Sequence, residues 1–113
     1  MIEKEVMDLL DPLVGERTFF DAAPAETVLP YLTIQQVGGA PLQFLEGPSG
    51  SDFVRLQINI FAQTRPEANS LMTAVREALS VLKATPVGAP FSTYEETVQT
   101  FGRHCDFTIL TAA

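Results

Sequence analysis

The first rhythm in the chain is helical. Ile2, Val6, Leu9, Leu10, Leu13 and Val14 recur at i, i+3 and i+4 spacing with Glu3, Lys4, Asp8 and Asp11 between them, which predicts an amphipathic helix. Pro12 interrupts it. A proline inside a helix removes a hydrogen bond and crowds the preceding turn, so a kink or break is expected near Leu10 or Asp11, with Gly15 as C-terminal cap. Phe19 and Phe20 precede the stretch Asp21-Ala22-Ala23-Pro24-Ala25, a short strand or turn leading into an irregular connection. From Tyr31 the period drops to two. Tyr31, Thr33, Gln35 and Val37 alternate with Leu32, Ile34 and Gln36, bounded by Pro30 and Gly38-Gly39, and predict a strand. Val54, Leu56, Ile58 and Ile60 alternate with Arg55, Gln57 and Asn59 in the clearest half-buried strand of the sequence. Residues 38–52 between them are rich in Gly, Pro and Ser and read as a long loop.

Thr64-Arg65-Pro66-Glu67 is a helix start: Thr64 can cap free backbone amides, Glu67 completes a capping box, and proline is tolerated in the first turn. Ala68, Leu71, Met72, Val75, Ala78, Leu79 and Leu82 form one stripe, with Asn69, Thr73, Arg76, Glu77, Ser80 and Lys83 facing away. The helix should end near Ala84, before Thr85-Pro86. Two more strands are predicted, near residues 87–95 and 98–111, the second with Phe101, Arg103, Cys105, Phe107 and Ile109 on one face. The order α(β)ββαββ gives an α+β fold: a four- to five-stranded, mainly antiparallel sheet with two helices on one face, in one domain spanning residues 1–113.

Composition narrows what such a domain can do. The chain has 113 residues, 14 acidic against 7 basic, for a formal charge of −7. That balance, with five arginines and two lysines scattered along the chain, argues against specific nucleic-acid binding, whose affinity comes largely from cations on phosphates. Acidity is concentrated early, where Glu3, Glu5, Asp8, Asp11, Glu16, Asp21 and Glu26 face only Lys4 and Arg17. No apolar run reaches membrane-span length, and Met1-Ile2-Glu3-Lys4-Glu5 does not read as a secretory signal. The single cysteine, Cys105, excludes an internal disulfide and fits a protein that folds in a cytoplasm.

No catalytic, cofactor or metal constellation survives inspection. His104 and Cys105 are neighbours in a strand and point to opposite faces, so they cannot form a thiol dyad there, and Cys105 in step with Phe107 and Ile109 reads as a buried structural thiol. One His and one Cys fall short of a structural zinc set. Glu95-Glu96 reads as a solvated pair in a turn, and the glycines of 38–39 and 47–50 lack the spacing and lysine of a phosphate loop. Arg17 and Arg103 read as surface or ion-pair residues. What stands out is the 38–52 segment, with Leu42, Phe44 and Leu45 among glycines and prolines. Those side chains either fold back onto the helix-free sheet face or are covered by another subunit. Phe53, Phe61 and Tyr31 are candidates to lie on that second face.

The block from Pro30 to Gly39, the turn Gly47-Pro48-Ser49-Gly50, the strand from Val54 to Ala62 with the helix after it, and the closing Cys105-Asp106-Phe107-Thr108-Ile109 resemble the tail completion, or tail terminator, proteins of long-tailed phages and prophages. The resemblance covers the chain from about Pro30 onward, plus the leading helix. It implies a structural virion protein of the tail, made in the bacterial host cytoplasm, that forms a homohexameric ring on the head-proximal end of the tail tube. Such a ring ends tube polymerisation and meets the tail tube protein and the head–tail connector protein. It implies no enzyme activity. Read this way, Gly39, Leu42, Phe44, Leu45, Ser49, Asp52, Phe53 and Phe61 are the candidate interface residues, and some of the acidic surplus is expected to line the ring lumen. Two other classes stay open from the residues: a small peptide- or ligand-binding module using the open sheet face, and an enzyme with Cys105 as nucleophile.

Overall fold

The structure, a computed structural model, describes residues 2–44 and 47–112; the side chains of residues 39–52, 111 and 112 lie outside that description. Helix α1 runs Ile2–Leu10 and tightens into a 3₁₀ turn, Asp11–Val14, at the predicted proline. Gly15 closes it in the left-handed region at φ 58°, with its N–H on the Asp11 carbonyl. Strand β1, Thr18–Phe20, follows, then β2, Tyr31–Phe44, β3, Gly47–Ala62, helix α2, Arg65–Leu79, a 3₁₀ turn, Ser80–Leu82, and strands β4, Thr85–Glu95, and β5, Thr100–Ala112.

The strands form one sheet in the order β1-β2-β3-β5-β4. The β2–β3, β3–β5 and β4–β5 pairs are antiparallel, whereas β1 pairs with β2 in parallel, so the sheet is mixed. A parallel neighbour requires a crossover, and the connection from Phe20 to Tyr31 supplies it.

Alternation sends Leu32 and Ile34 of β2, Leu56, Ile58, Ile60 and Ala62 of β3, and Cys105, Phe107 and Ile109 of β5 to one side, all buried. Val6, Leu10 and Val14 and the α2 stripe of Ala68, Met72, Val75 and Leu79 close over them. Each fully buried Leu or Ile contributes about 1.5–3 kcal/mol relative to exposure, so this layer is where the fold's stability resides. Helix α2 lies against β3 and β5, and α1 against α2 and β1. Its start is the predicted one: the Glu67 N–H donates to Thr64 Oγ1 at 3.2 Å, while Glu67 Oε1 accepts from the Gln63 N–H at 3.1 Å.

The expected 38–52 loop is corrected by the structure. β2 and β3 continue as a ladder, Gly39 opposite Val54, Pro41 opposite Asp52, Leu42 opposite Ser51 and Phe44 opposite Gly47. The glycines and prolines lie within that ladder and at its irregularities rather than in a loop. Gly38, at φ 145°, sits where the register shifts after Gln36, and a second shift follows Leu42. β5 pairs with β3 only as far as Ser51, so beyond it β2 and β3 form a two-stranded arm. The molecule is accordingly long, 52 × 24 × 23 Å.

Replacing Thr64 with Ala removes the α2 cap and should cost about 1 kcal/mol of unfolding free energy, read from urea denaturation, with the native far-ultraviolet spectrum unchanged.

Candidate functional site

Helices cover one sheet face; the other is open. On it the register stacks side chains in rows that cross the strands. Tyr31, Phe61, Gly102 and Thr93 make the first row, Thr33, Asn59, His104 and Phe91 the second, and Gln35, Gln57 and Asp106 the third. Together with Asp21, Ala22 and Ala23, most of these residues line a hollow of about 550 Å³.

Thr33, Asn59 and His104 of the second row join Thr93 of the first in a continuous hydrogen-bond chain. The Asn59 amide nitrogen donates to Thr33 Oγ1 at 3.1 Å, which leaves Asn59 Oδ1 as acceptor for His104 Nδ1 at 2.7 Å. His104 Nε2 lies 2.7 Å from Thr93 Oγ1. With Nδ1 donating, Nε2 of the neutral ring accepts the Thr93 hydroxyl proton, so the chain runs in one direction across four strands: Thr93, His104, Asn59, Thr33. Burial lowers the pKa of His104 below its ordinary 6.5, favouring this neutral form. Thr33, Asn59 and His104 are all buried, and each has a partner, as buried polar groups require.

Aromatic rings frame the chain. Tyr31 and Phe61 stack at 4.9 Å between centroids, Phe91 stacks on His104 at 5.0 Å, and Phe61 meets His104 edge-on at 5.9 Å. Gly102 makes the arrangement possible: a Cβ there would stand 2.2 Å from Thr93 Oγ1 and 2.7 Å from His104 Nε2. In the third row and beyond, Arg55 donates to Asp106 Oδ2 through Nε at 2.8 Å and Nη2 at 2.7 Å, and Gln57 Nε2 donates to Oδ1 at 3.1 Å. The charges of this row are therefore spent on each other.

Along the sequence His104 has only Cys105 as a nucleophilic neighbour. The two do face opposite ways: Cys105 is buried in the core, where desolvation pushes its thiol pKa up, the condition of an unreactive thiol. The partners of His104, Asn59 and Thr93, lie 45 and 11 residues away in sequence. Alternation in β3 and β5 places Asn59 and His104 on the non-core face, and that was the available signal. Among the described residues Arg17 and Arg103 have no ion-pair partner. Arg17 Nε donates to the Pro30 carbonyl at 2.9 Å, and Arg103 Nη1 to Ser92 Oγ at 2.8 Å.

Of the candidate interface residues, Gly39, Leu42, Phe44, Ser49 and Asp52 belong to the backbone of the arm and its base, and Leu45 lies outside the described residues. Phe53 is 38% exposed, opposite Leu110 on β5, and Phe61 stacks in the hollow. The structure thus joins Phe61 with Tyr31 but does not bring Phe61 to the arm. Among the described residues no group of three or more His, Cys, Asp or Glu side chains could hold a metal ion, and no helix is long and apolar enough to cross a membrane.

A sheet with one face packed on helices and the other carrying a self-satisfied polar row, with a two-stranded arm beyond, defines a small α+β protein. The sequence profile of tail completion protein gp17 matches residues 4–112, and the chain belongs to that family. It is a structural component of the tail of a phage-like virion. No curated protein matches the sequence. Among solved structures, a chain from the virion of a native gene transfer agent particle has a similar fold, with a TM-score of 0.64 at 15% identity over 93% of this chain and 90% of that one.

Two outcomes follow from the hydrogen-bonded row. Gly102→Ala forces Thr93 and His104 apart and should destabilise the protein by about 1–3 kcal/mol in urea unfolding, with loss of the His104–Thr93 contact by NMR. Because the folded pKa of His104 lies below the unfolded 6.5, the unfolded chain binds this proton more readily. The contribution of His104 is therefore full above pH 6.5 and is lost as the pH falls through that value toward the lower folded pKa. Urea midpoints at about pH 7.5 and about pH 5.5 should differ more for the native chain than for His104→Gln.

Proposed function

We propose that the protein caps the head-proximal end of the tail tube as a homohexameric ring, ending tube polymerisation and presenting a surface to the head–tail connector protein. The observation that carries this reading is the family match, which spans residues 4–112 and so engages both helices and every strand of the sheet. The geometry supports it in two ways. The arm beyond Ser51 is a two-stranded ribbon, a form that is marginal in water by itself and gains stability from a covering surface. The sheet edges, in contrast, are poor contact sites: β1 is three residues long, and β4 carries Pro86 and Pro90 around a register shift. Subunit contacts in this reading run through residues 39–52, with Gly39, Leu42, Phe44, Leu45, Ser49 and Asp52, and through Phe53 and Phe61, rather than through edge-to-edge pairing.

The hollow on the open face favours a second reading, a peptide- or ligand-binding module. Saturable binding to a protein that stays monomeric and ignores the tube decides for that one.

Electron microscopy of the purified protein, alone and with tail tube protein, tests the ring. Rings on tube ends, and tubes of limited length, are expected; a strictly monomeric protein without effect on tube or connector overturns the proposal. Replacing Leu42 and Phe44 together with Ser should shift the oligomer toward monomer in analytical ultracentrifugation while the unfolding midpoint stays near the native value.

A further inference from the structure

The hollow on the open face has a one-sided chemistry. Among the described residues, Asp21 is the one charged residue that lines it, and no Lys or Arg does. Arg55, beside Gln57 and Asp106 on this face, is already bound to Asp106. His104 at its floor is neutral, and both ring nitrogens are occupied by Asn59 and Thr93. Gln57 turns its amide nitrogen to Asp106, which leaves its carbonyl oxygen free to accept. Over this floor stand the rings of Tyr31, Phe61 and Phe91, the last 52% exposed.

Aromatic faces, a carboxylate and an acceptor oxygen, with no competing cation, are what a basic side chain needs. Guanidinium and ammonium groups are attracted to ring faces by the ring quadrupole, and more strongly where water is partly excluded. Asp21 is held for this position: it closes β1 in the left-handed region at φ 66°, with its N–H bonded to the Ile34 carbonyl at 2.9 Å. The net charge of −7 adds the long-range part, since it attracts a basic partner.

We propose that the hollow between Asp21 and the rings of Tyr31, Phe61 and Phe91 is a docking site for an arginine or lysine side chain, flanked by apolar residues, on a different protein. The site goes beyond the ring reading: rings can form whether or not it is filled, and the two are measured separately.

The test is an NMR titration of the full chain with a capped pentapeptide of glycine, phenylalanine, arginine, phenylalanine and glycine, and with counterparts carrying glutamine or glutamate in place of arginine. The arginine peptide is expected to shift the ring signals of Tyr31, Phe61 and Phe91 and to bind about tenfold more tightly than the glutamine peptide. Its affinity should fall with added salt. Asp21→Asn, which keeps the backbone N–H and tolerates positive φ, should bring the arginine peptide down to the glutamine level. Glu96→Gln removes the same charge in the exposed turn and should leave binding unchanged. Equal affinity for the arginine and glutamine peptides, preference for glutamate, shifts confined to other residues, absence of saturable binding, or an Asp21→Asn protein that binds like the native one each overturns the proposal. So do ring signals that move on concentrating the protein without peptide, which identify a second copy as the occupant.

Discussion

The register of β3 is the constraint on which the rest depends. It is paired along nearly its whole length, with β2 on one side and β5 on the other. Its even-numbered residues, Leu56, Ile58, Ile60 and Ala62, make the centre of the core, and its odd-numbered ones, Arg55, Gln57, Asn59 and Phe61, make the centre of the open face. A slip of one residue would exchange the two sets, burying an arginine under α2 and exposing isoleucines. Both faces therefore specify the same register, one by apolar burial and the other by hydrogen bonds that close only when Asn59 stands between Thr33 and His104.

That second contribution is better understood as selection than as stabilisation. A hydrogen bond exchanged for one with water adds only about 1 kcal/mol, whereas a buried polar group left without a partner costs about 1–3 kcal/mol. The row from Thr93 to Thr33 adds modestly when complete and penalises any arrangement that leaves it incomplete. Gly102 is part of the same device, because only a residue without a Cβ lets Thr93 and His104 approach to 2.7 Å.

The features that could be read from the sequence are those with local causes. The break before Pro12, the α2 cap at Thr64, the buried stripe from Ala68 to Leu79 and the alternation of β3 each depend on residues within one or two turns of one another. The arm was hidden because Gly38, Pro41 and Pro48 carry the same letters whether they break a strand or accommodate a bulge in it, and only the paired strand distinguishes the two. The parallel β1–β2 pairing was hidden in the same way, by a crossover of irregular sequence. The hydrogen-bonded row joins residues from four strands, and no spacing rule along the chain brings Thr33, Asn59, Thr93 and His104 together.

The segregation of charge ties these observations to the assembly. Among the described residues, Arg55 cancels Asp106 on the open face, and Asp21 at the rim is the one remaining charge around the hollow. The acidic surplus lies elsewhere, with Glu3, Glu5, Asp8 and Asp11 on or just after α1, and Lys4 bonded to Asp8. A surface that must be desolvated by a neighbouring protein loses least if its charges are few or already paired, whereas a surface that faces a polyanion gains from carrying the same sign and refusing it. The two sides of the molecule divide along that line. The acidic cluster on α1 and the nearly uncharged hollow thus lie on opposite sides of the sheet.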